Sequence, residues 1–83
     1  MSESGAMPVY RYVEVANAVE AEIRSGRLPV GARLPGEREM AETYGIALGT
    51  ARRVVKELRD RGLVGTLPAK GTYVLRKPPE PTP

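Results

Sequence analysis

The stretch from Glu37 to Lys56, EREMAETYGIALGTARRVVK, decides which fold this chain can adopt. Its apolar residues recur at helical spacing on both sides of Gly45, which predicts two short helices that meet at an angle. The turn between them needs a residue that tolerates a positive φ, and glycine does so without strain. A small Ala41 lets the helices approach closely, and Ile46 is expected to be buried after the turn. The stretch therefore predicts a helix-turn-helix with these inward residues: Met40, Ala41, Tyr44, Ala51, Val54, Val55 and Leu58.

The second helix of this motif is predicted to run from Leu48 to Arg61, with Gly62 ending it. Its opening is unusual, because Ala47 is a poor N-cap and Leu48 and Gly49 are expected to be exposed. A short helix braced by another, with polar and cationic groups outward, suits the major groove of DNA. The outward residues are Thr50, Arg52, Arg53 and Lys56.

An earlier helix is predicted between Pro8, which suits a first helical turn, and Gly26, which suits a helix end. Its apolar residues form one stripe, as expected for a helix with one buried face. We expect the stripe to dock on the helix-turn-helix, although a dimer seam is the alternative. The stripe consists of Tyr12, Val15, Ala16, Val19 and Ile23.

Arg27–Pro35 contains two prolines and a glycine, which predicts a loop with one short strand around Ala32–Leu34. Leu28, Val30 and Leu34 are expected to point inward.

Gly36 is the predicted cap of the next helix, and Glu37 and Glu39 suit its first turn because the helix dipole favours acids there. Arg38 opposes that dipole. Two interpretations stay open for this arginine: a phosphate contact, or an ion pair with Glu42 one turn later.

Leu63–Leu67 and Thr72–Arg76 are predicted to be two strands, since both are rich in β-branched and apolar residues. Pro68 and Gly71 supply turn chemistry between them, which places Lys70 near the tip of a hairpin. A hairpin after a helix-turn-helix is a wing, whose tip cation can lie against a phosphate or in the minor groove. The alternative for Lys70 is an ordinary exposed lysine.

The predicted fold is mainly α with a small β-hairpin, a three-helix winged helix-turn-helix. Residues 1–8 are expected to be a disordered N-terminal tail, residues 9–76 the folded domain, and residues 77–83 a proline-rich tail or linker.

The composition of the 83 residues argues against catalysis, metal binding and cofactors. The chain has no Cys and no His, so the usual nucleophile, general base and soft metal ligands are missing. No apolar run approaches the roughly 18 residues of a membrane span, and the first residues lack signal-peptide features. We therefore predict a non-enzymatic, cytoplasmic protein without a membrane partner.

The net charge of the whole chain is +3, and the positive charge is concentrated in one part of it. Residues 48–77 contain eight basic and two acidic residues, a net charge of +6, so the remainder carries −3. This asymmetry indicates a polyanionic partner, and the alternative is a solvated helix face.

From Tyr12 to Val74 the chain resembles the DNA-binding domain of the GntR family of bacterial transcription regulators. In that family, residues that match Arg38, Thr50 and Arg52 contact DNA, and the wing glycine that matches Gly71 approaches it closely. The resemblance rests on Ile23, Ser25-Gly26, Gly31, Leu34-Pro35, Glu37–Ala41, Gly45-Ile46, Thr50, Arg52, Leu58, Gly62–Val64 and Gly71–Val74.

The chain departs from the family pattern at three positions. Leu48 stands where a base-reading arginine is frequent, Ala47 where a capping serine is usual, and Ala69 where the wing has a glycine. Leu48 could contact a thymine methyl group. Family members also carry a C-terminal domain that binds a metabolite and dimerises, and no such effector domain is expected within this sequence.

The main hypothesis is a sequence-specific DNA-binding transcription regulator, a repressor that occludes a promoter, with two copies on a palindromic operator and a possible homodimer there. Two alternatives stay open: a protein-interaction module that uses Leu48 and Gly49, and a non-specific DNA-binding protein. Five cations are expected to neutralise phosphates, while Thr50, Leu48 and Arg53 reach base edges. The five are Arg38, Arg52, Arg53, Lys56 and Lys70. The candidate DNA-binding residues are Arg38, Leu48, Gly49, Thr50, Arg52, Arg53, Lys56, Lys70, Gly71 and Thr72.

Overall fold

The computed structural model describes residues 10–79, and these form three helices followed by an antiparallel hairpin. The predicted three-helix winged helix-turn-helix is confirmed. The elements are α1 (Arg11–Ser25), α2 (Glu37–Tyr44), α3 (Leu48–Asp60), β1 (Val64–Leu67) and β2 (Gly71–Val74).

α1 buries the predicted stripe, except that Tyr12 is only half-buried. The helix ends at Gly26, whose φ of 88° is the left-handed conformation that glycine adopts readily. The helix begins at Arg11, and the prediction that Pro8 opens it falls outside the described residues. Because α1 packs mainly against α3, the stripe is core rather than a dimer seam.

The turn of the helix-turn-helix is built as expected around Gly45, which has a φ of 64° and ends α2. The N–H of Ile46 donates to the carbonyl of Ala41 at 3.0 Å, which brings the chain back toward α3. Met40 is the one buried residue of α2. The prediction of a buried Ile46 is wrong in degree, because the side chain sits at the rim of the core and is half-buried, as is that of Ala41.

Within residues 10–79 one core lies between the three helices and the hairpin, with Met40 entering it from α2 and Leu34 closing it from the loop after α1. The prediction that Val30 points inward is wrong, since this side chain is 58% exposed. The N–H of Ala32 donates to the carbonyl of Pro29 at 3.0 Å, and Gly31 has a φ of 90°. This hydrogen bond and the positive φ of Gly31 define a tight turn with Val30 at its corner, where a side chain points to solvent.

The short strand predicted around Ala32–Leu34 exists as one bridge, between Arg33 and Tyr73. The N–H of Leu34 donates to the carbonyl of Thr72 at 2.7 Å, and that of Val74 to the carbonyl of Ala32 at 2.9 Å. β2 therefore lies between β1 and this segment, which ties the loop before α2 to the wing.

Each strand is one residue shorter than predicted, because the backbone N–H of Leu63 is bonded to the end of α3. This N–H donates to the carbonyl of Leu58 at 3.1 Å and closes the end of α3, while the carbonyl of Leu63 accepts from the N–H of Leu75 at 2.8 Å. Arg76 Nε donates to the carbonyl of Gly62 at 2.9 Å. The domain end at residue 76 stays a prediction; Pro78, two residues later, is buried.

Candidate nucleic-acid interface

α3 divides sharply into a buried face and an exposed face. Ala51, Val54, Val55 and Leu58 are buried, with exposed fractions of 7% or less. These residues share one side of the helix, so the residues between them are forced outward. Five of the candidate residues are exposed on α3, and Thr50 is half-buried beside them; the exposed ones are Leu48, Gly49, Arg52, Arg53 and Lys56.

The start of α3 is open, as its sequence predicts. Ala47 is the N-cap and supplies no side-chain hydrogen bond to the first amide groups of the helix. Leu48, the first helical residue, is 40% exposed. An apolar side chain at the exposed start of a helix is available for contact with another molecule.

Arg52 is held beside the start of α2. Its Nε donates to Glu37 Oε1 at 3.3 Å, and both side chains remain exposed. Sequence reasoning placed Glu37 in the first turn of α2 but missed this partner, because the contact depends on how α2 crosses α3.

Arg53 lies over an aromatic ring rather than beside a carboxylate. Its guanidinium carbon is 4.5 Å from the centre of the Tyr12 ring, a cation–π geometry. Tyr10 stacks on Tyr12 with ring centres 6.1 Å apart. The two tyrosines and Arg53 line a shallow groove together with Gly49 and Thr50. Sequence reasoning assigned Tyr12 to the core stripe, and its position at the exposed start of α1 was the signal that it has a second role.

The remaining helical cations differ in their surroundings. Arg38 is exposed in the first turn of α2, and among residues 10–79 no ion pair joins it to Glu42, so the ion-pair interpretation finds no support. Lys56 Nζ forms an exposed ion pair with Asp60 Oδ2 at 3.0 Å. Exposed pairs of this kind are weak and exchange readily with other anions.

The wing presents Lys70 at its tip, where it is exposed. The N–H of Lys70 donates to the carbonyl of Leu67 at 3.0 Å and closes the turn. Ala69 has a φ of 64°, the position at which glycine would be unstrained.

Gly71 has a φ of 118°, a conformation that favours glycine. A Cβ placed there would also lie 2.6 Å from Nε of Arg33, whose exposed side chain is close to the wing. Arg33 is a basic residue of the wing face that sequence reasoning missed. The alternation around the predicted strand Ala32–Leu34 was the signal, since Ala32 and Leu34 turn inward and Arg33 outward.

Thr72 has its hydroxyl engaged within the protein. Its Oγ1 lies 3.1 Å from Oγ1 of Thr66, which accepts a hydrogen bond from Arg59 Nη1 at 3.2 Å. A hydroxyl can accept and donate at once, so the Thr72 hydroxyl has capacity for a further hydrogen bond. The DNA contact of Thr72 stays a prediction.

Not all of the basic residues between 48 and 77 belong to an anion-binding face. Arg61 donates from Nη1 to Glu20 and from Nε to Glu57, each at 2.9 Å. Arg76 is bonded to the carbonyl of Gly62. The interpretation of the whole +6 excess as a binding footprint is therefore too broad, because part of it holds the far end of α3.

Within residues 10–79 there is no helix with the length and apolar character that crossing a bilayer requires. In the same range, no three Cys, His, Asp or Glu side chains come together in a way that could hold a metal ion.

The family model for bacterial regulatory proteins of the gntR family matches residues 11–74. The chain is 39% identical over 70 residues to the HTH-type transcriptional regulator SmoD of Agrobacterium fabrum. This match covers 84% of this chain and 29% of the relative. The chain is 34% identical over 67 residues to the HTH-type transcriptional repressor NagR of Bacillus subtilis, covering 81% and 28%. The chain thus spans under a third of the length of these curated relatives.

Solved structures include similar domains bound to DNA. The DNA-binding domain of AraR in complex with its operator ORR3 matches with a TM-score of 0.77 and 23% identity, covering 89% of this chain and 90% of that one. BusR of S. agalactiae in complex with its busAB promoter DNA matches with a TM-score of 0.77 and 27% identity, covering 84% and 34%. The first of these likenesses establishes the fold alone.

Proposed function

The chain belongs to the gntR family of bacterial regulatory proteins, and from this membership we propose that it binds double-stranded operator DNA as a transcription regulator and represses transcription by occluding a promoter. The observation that carries the proposal is the division of α3. Its apolar face is buried, and its outward face carries Arg52, Arg53 and Lys56. A cationic helix of this kind, braced by α2, has the shape and charge for the major groove.

The proposed contacts divide into phosphate and base contacts. Arg38, Arg53, Lys56 and Lys70 are exposed cations at different places on the surface, which suits backbone phosphates. The remaining candidates at the start of α3 are proposed to face base edges; they are Leu48, Gly49, Thr50 and Arg52.

Leu48 gives this interface an unusual chemistry. Its exposed side chain cannot donate a hydrogen bond, so we propose that it contacts the C5-methyl group of a thymine. The operator of this chain is then expected to differ from those of relatives that carry an arginine at this position.

The part of the chain that the structure describes presents one recognition helix, α3, and such single modules have small interfaces with DNA. Two copies on a palindrome would double the contacts, and we propose this arrangement for the operator complex. The folded domain proposed for this role spans residues 9–76. A bacterial cytoplasm is the proposed location, since operator DNA lies there.

A protein-interaction module is the second candidate, and the exposure of Leu48 beside Gly49 favours it. An apolar contact of this kind would respond little to salt. For DNA, the logarithm of the binding constant falls with the logarithm of salt concentration by roughly 0.9 for each neutralised phosphate.

Fluorescence anisotropy of the chain with DNA from upstream of its own gene tests the proposal. The titration is run at two salt concentrations, with unrelated duplex DNA as competitor. We expect a complex that survives competition and weakens with salt. Binding that any DNA displaces equally would establish a non-specific binder, and no binding at low salt would favour the protein-interaction module.

A further inference from the structure

Arg52 differs from the other exposed cations because a carboxylate of a neighbouring helix contacts it. Glu37 Oε1 is 3.3 Å from Nε of Arg52, and the two side chains are 40% and 65% exposed. Glu37 is the first residue of α2, where the helix dipole stabilises an acid. The carboxylate therefore sits at a helix end that favours its charge, while Arg52 reaches it from α3 with a longer side chain.

The contact occupies one edge of the guanidinium and leaves its end open. Glu37 takes the Nε hydrogen, and the two terminal nitrogens of Arg52 make no hydrogen bond to another described residue. Those terminal nitrogens form the fork that binds O6 and N7 of a guanine in a bidentate contact. Holding the Nε edge thus orients Arg52 for a base without using the groups that read it.

The charge of Glu37 also changes which DNA groups attract Arg52. A phosphate near the pair would be repelled by the carboxylate, whereas O6 and N7 of guanine carry no net charge. Arg53 has a different environment, because its guanidinium lies over the Tyr12 ring and not against a carboxylate of the described residues. The two neighbouring arginines are therefore prepared for different partners.

We propose that Glu37 is a positioning residue that directs Arg52 to a guanine edge and away from phosphates, and that it thereby sets the sequence specificity of the interface. The inference rests on the proposed DNA-binding function. It assigns to Glu37 an effect on discrimination between DNA sequences rather than on total affinity.

The test compares Glu37→Gln with Glu39→Gln, which removes the same charge from the same first turn of α2. Two probes are used: a duplex that the unaltered chain selects from a randomised pool, and a scrambled duplex of the same composition. Dissociation constants are measured by anisotropy at two salt concentrations, after melting curves have shown that both variants are folded.

Glu37→Gln is expected to bind the scrambled duplex more tightly and to lower the ratio of specific to non-specific affinity by about tenfold, the scale of one good base contact. The salt dependence on the scrambled duplex should steepen by roughly 0.9, which corresponds to one further phosphate contact. Glu39→Gln is expected to change binding to both duplexes equally. Equal shifts in the two variants would overturn the proposal.

A direct contact of Glu37 with a cytosine would also lower specificity, and the Arg52→Ala background separates the two explanations. If Glu37 acts through Arg52, adding Glu37→Gln to Arg52→Ala leaves the specificity ratio unchanged within about twofold. A further loss in the double variant would overturn the positioning role. If the unaltered chain selects no sequence from the pool, the DNA-binding proposal fails, and this inference fails with it.

Discussion

The two ends of α3 hold their arginines in opposite ways. At the C-terminal end, Arg61 is 22% exposed and reaches Glu20 of α1 and Glu57 of α3, both at 2.9 Å. At the N-terminal end, Arg52 is 65% exposed and has one longer contact, 3.3 Å to Glu37. An arginine thus joins two helices at one end of α3, whereas at the other end an arginine remains available as a hydrogen-bond donor.

The difference shows that burial and the number of carboxylates decide which role an arginine takes. Partial burial lowers the pKa of Arg61, but its hydrogen bonds to Glu57 and Glu20 and their charges together raise that pKa above its ordinary value. Arg61 therefore stays charged at any working pH, and its bonds join α1 to the end of α3. A charge count cannot separate the two roles, since both arginines count as +1.

The largest expected effect is a loss of stability of the whole domain, which would affect both ends of α3 alike. Leu58 is fully buried on the inner face of the helix. Leu58→Ala should lower the free energy of unfolding by about 2–5 kcal/mol, because it removes packing and leaves a cavity. Urea unfolding followed by circular dichroism measures this. Leu48→Ala, at an exposed leucine of the same helix, should change stability by less than about 0.5 kcal/mol; equal losses in the two variants would contradict the assigned core.

The next effect concerns binding alone. Arg52→Ala should weaken binding to the selected duplex by about 1–3 kcal/mol, if the arginine makes a bidentate base contact. Its stability should match that of the unaltered chain, because the side chain is exposed and its one ion pair is weak. Anisotropy and a melting curve on the same sample measure both quantities. An unchanged affinity at low salt would remove Arg52 from the interface.

The reverse behaviour is expected at the other end of the helix. Arg61→Ala should lower the free energy of unfolding by about 1 kcal/mol, since two carboxylates lose their shared partner. DNA affinity, measured well below the melting temperature, should be unchanged within about twofold. Arg27→Ala breaks a pair whose arginine is 78% exposed and is the control. A loss of DNA affinity in Arg61→Ala would contradict the separation of the two ends.

The smallest expected effect lies in the wing. Ala69 has a φ of 64°, a conformation that costs a residue with a Cβ about 1–2 kcal/mol. Ala69→Gly should therefore stabilise the domain by about 0.5 kcal/mol, because the greater flexibility of glycine in the unfolded chain offsets part of the relief. Thermal unfolding checks the sign. Ala18→Gly, in the exposed middle of α1, should shift stability in the opposite direction by about 1 kcal/mol.

The helices could be predicted because their evidence is local. The periodic residues of α1 and α3 and the glycines at positions 26 and 45 lie within one or two turns of the structure that they define. The errors occurred where the fold, rather than the local pattern, decides exposure. Val30 is apolar but lies at the corner of a turn, and Ile46 lies at the edge of the core.

The candidate site could be predicted in outline for the same reason. The outward face of α3 and the cation at the wing tip follow from helical periodicity and turn chemistry. The partners of these residues could not be predicted, because each comes from a different element: Glu37 for Arg52, Tyr12 for Arg53, and Arg33 beside Gly71.

The sequence by itself determined the three helices, the hairpin, the core face of α3 and the family, since all of these depend on the order and spacing of residues along the chain. Only the tertiary structure decided which cations hold two helices together by ion pairs and which are available for a ligand. Coulomb and cation–π interactions act through space over a few ångströms. Their partners are therefore chosen by how α1, α2 and α3 pack, and not by distance along the sequence.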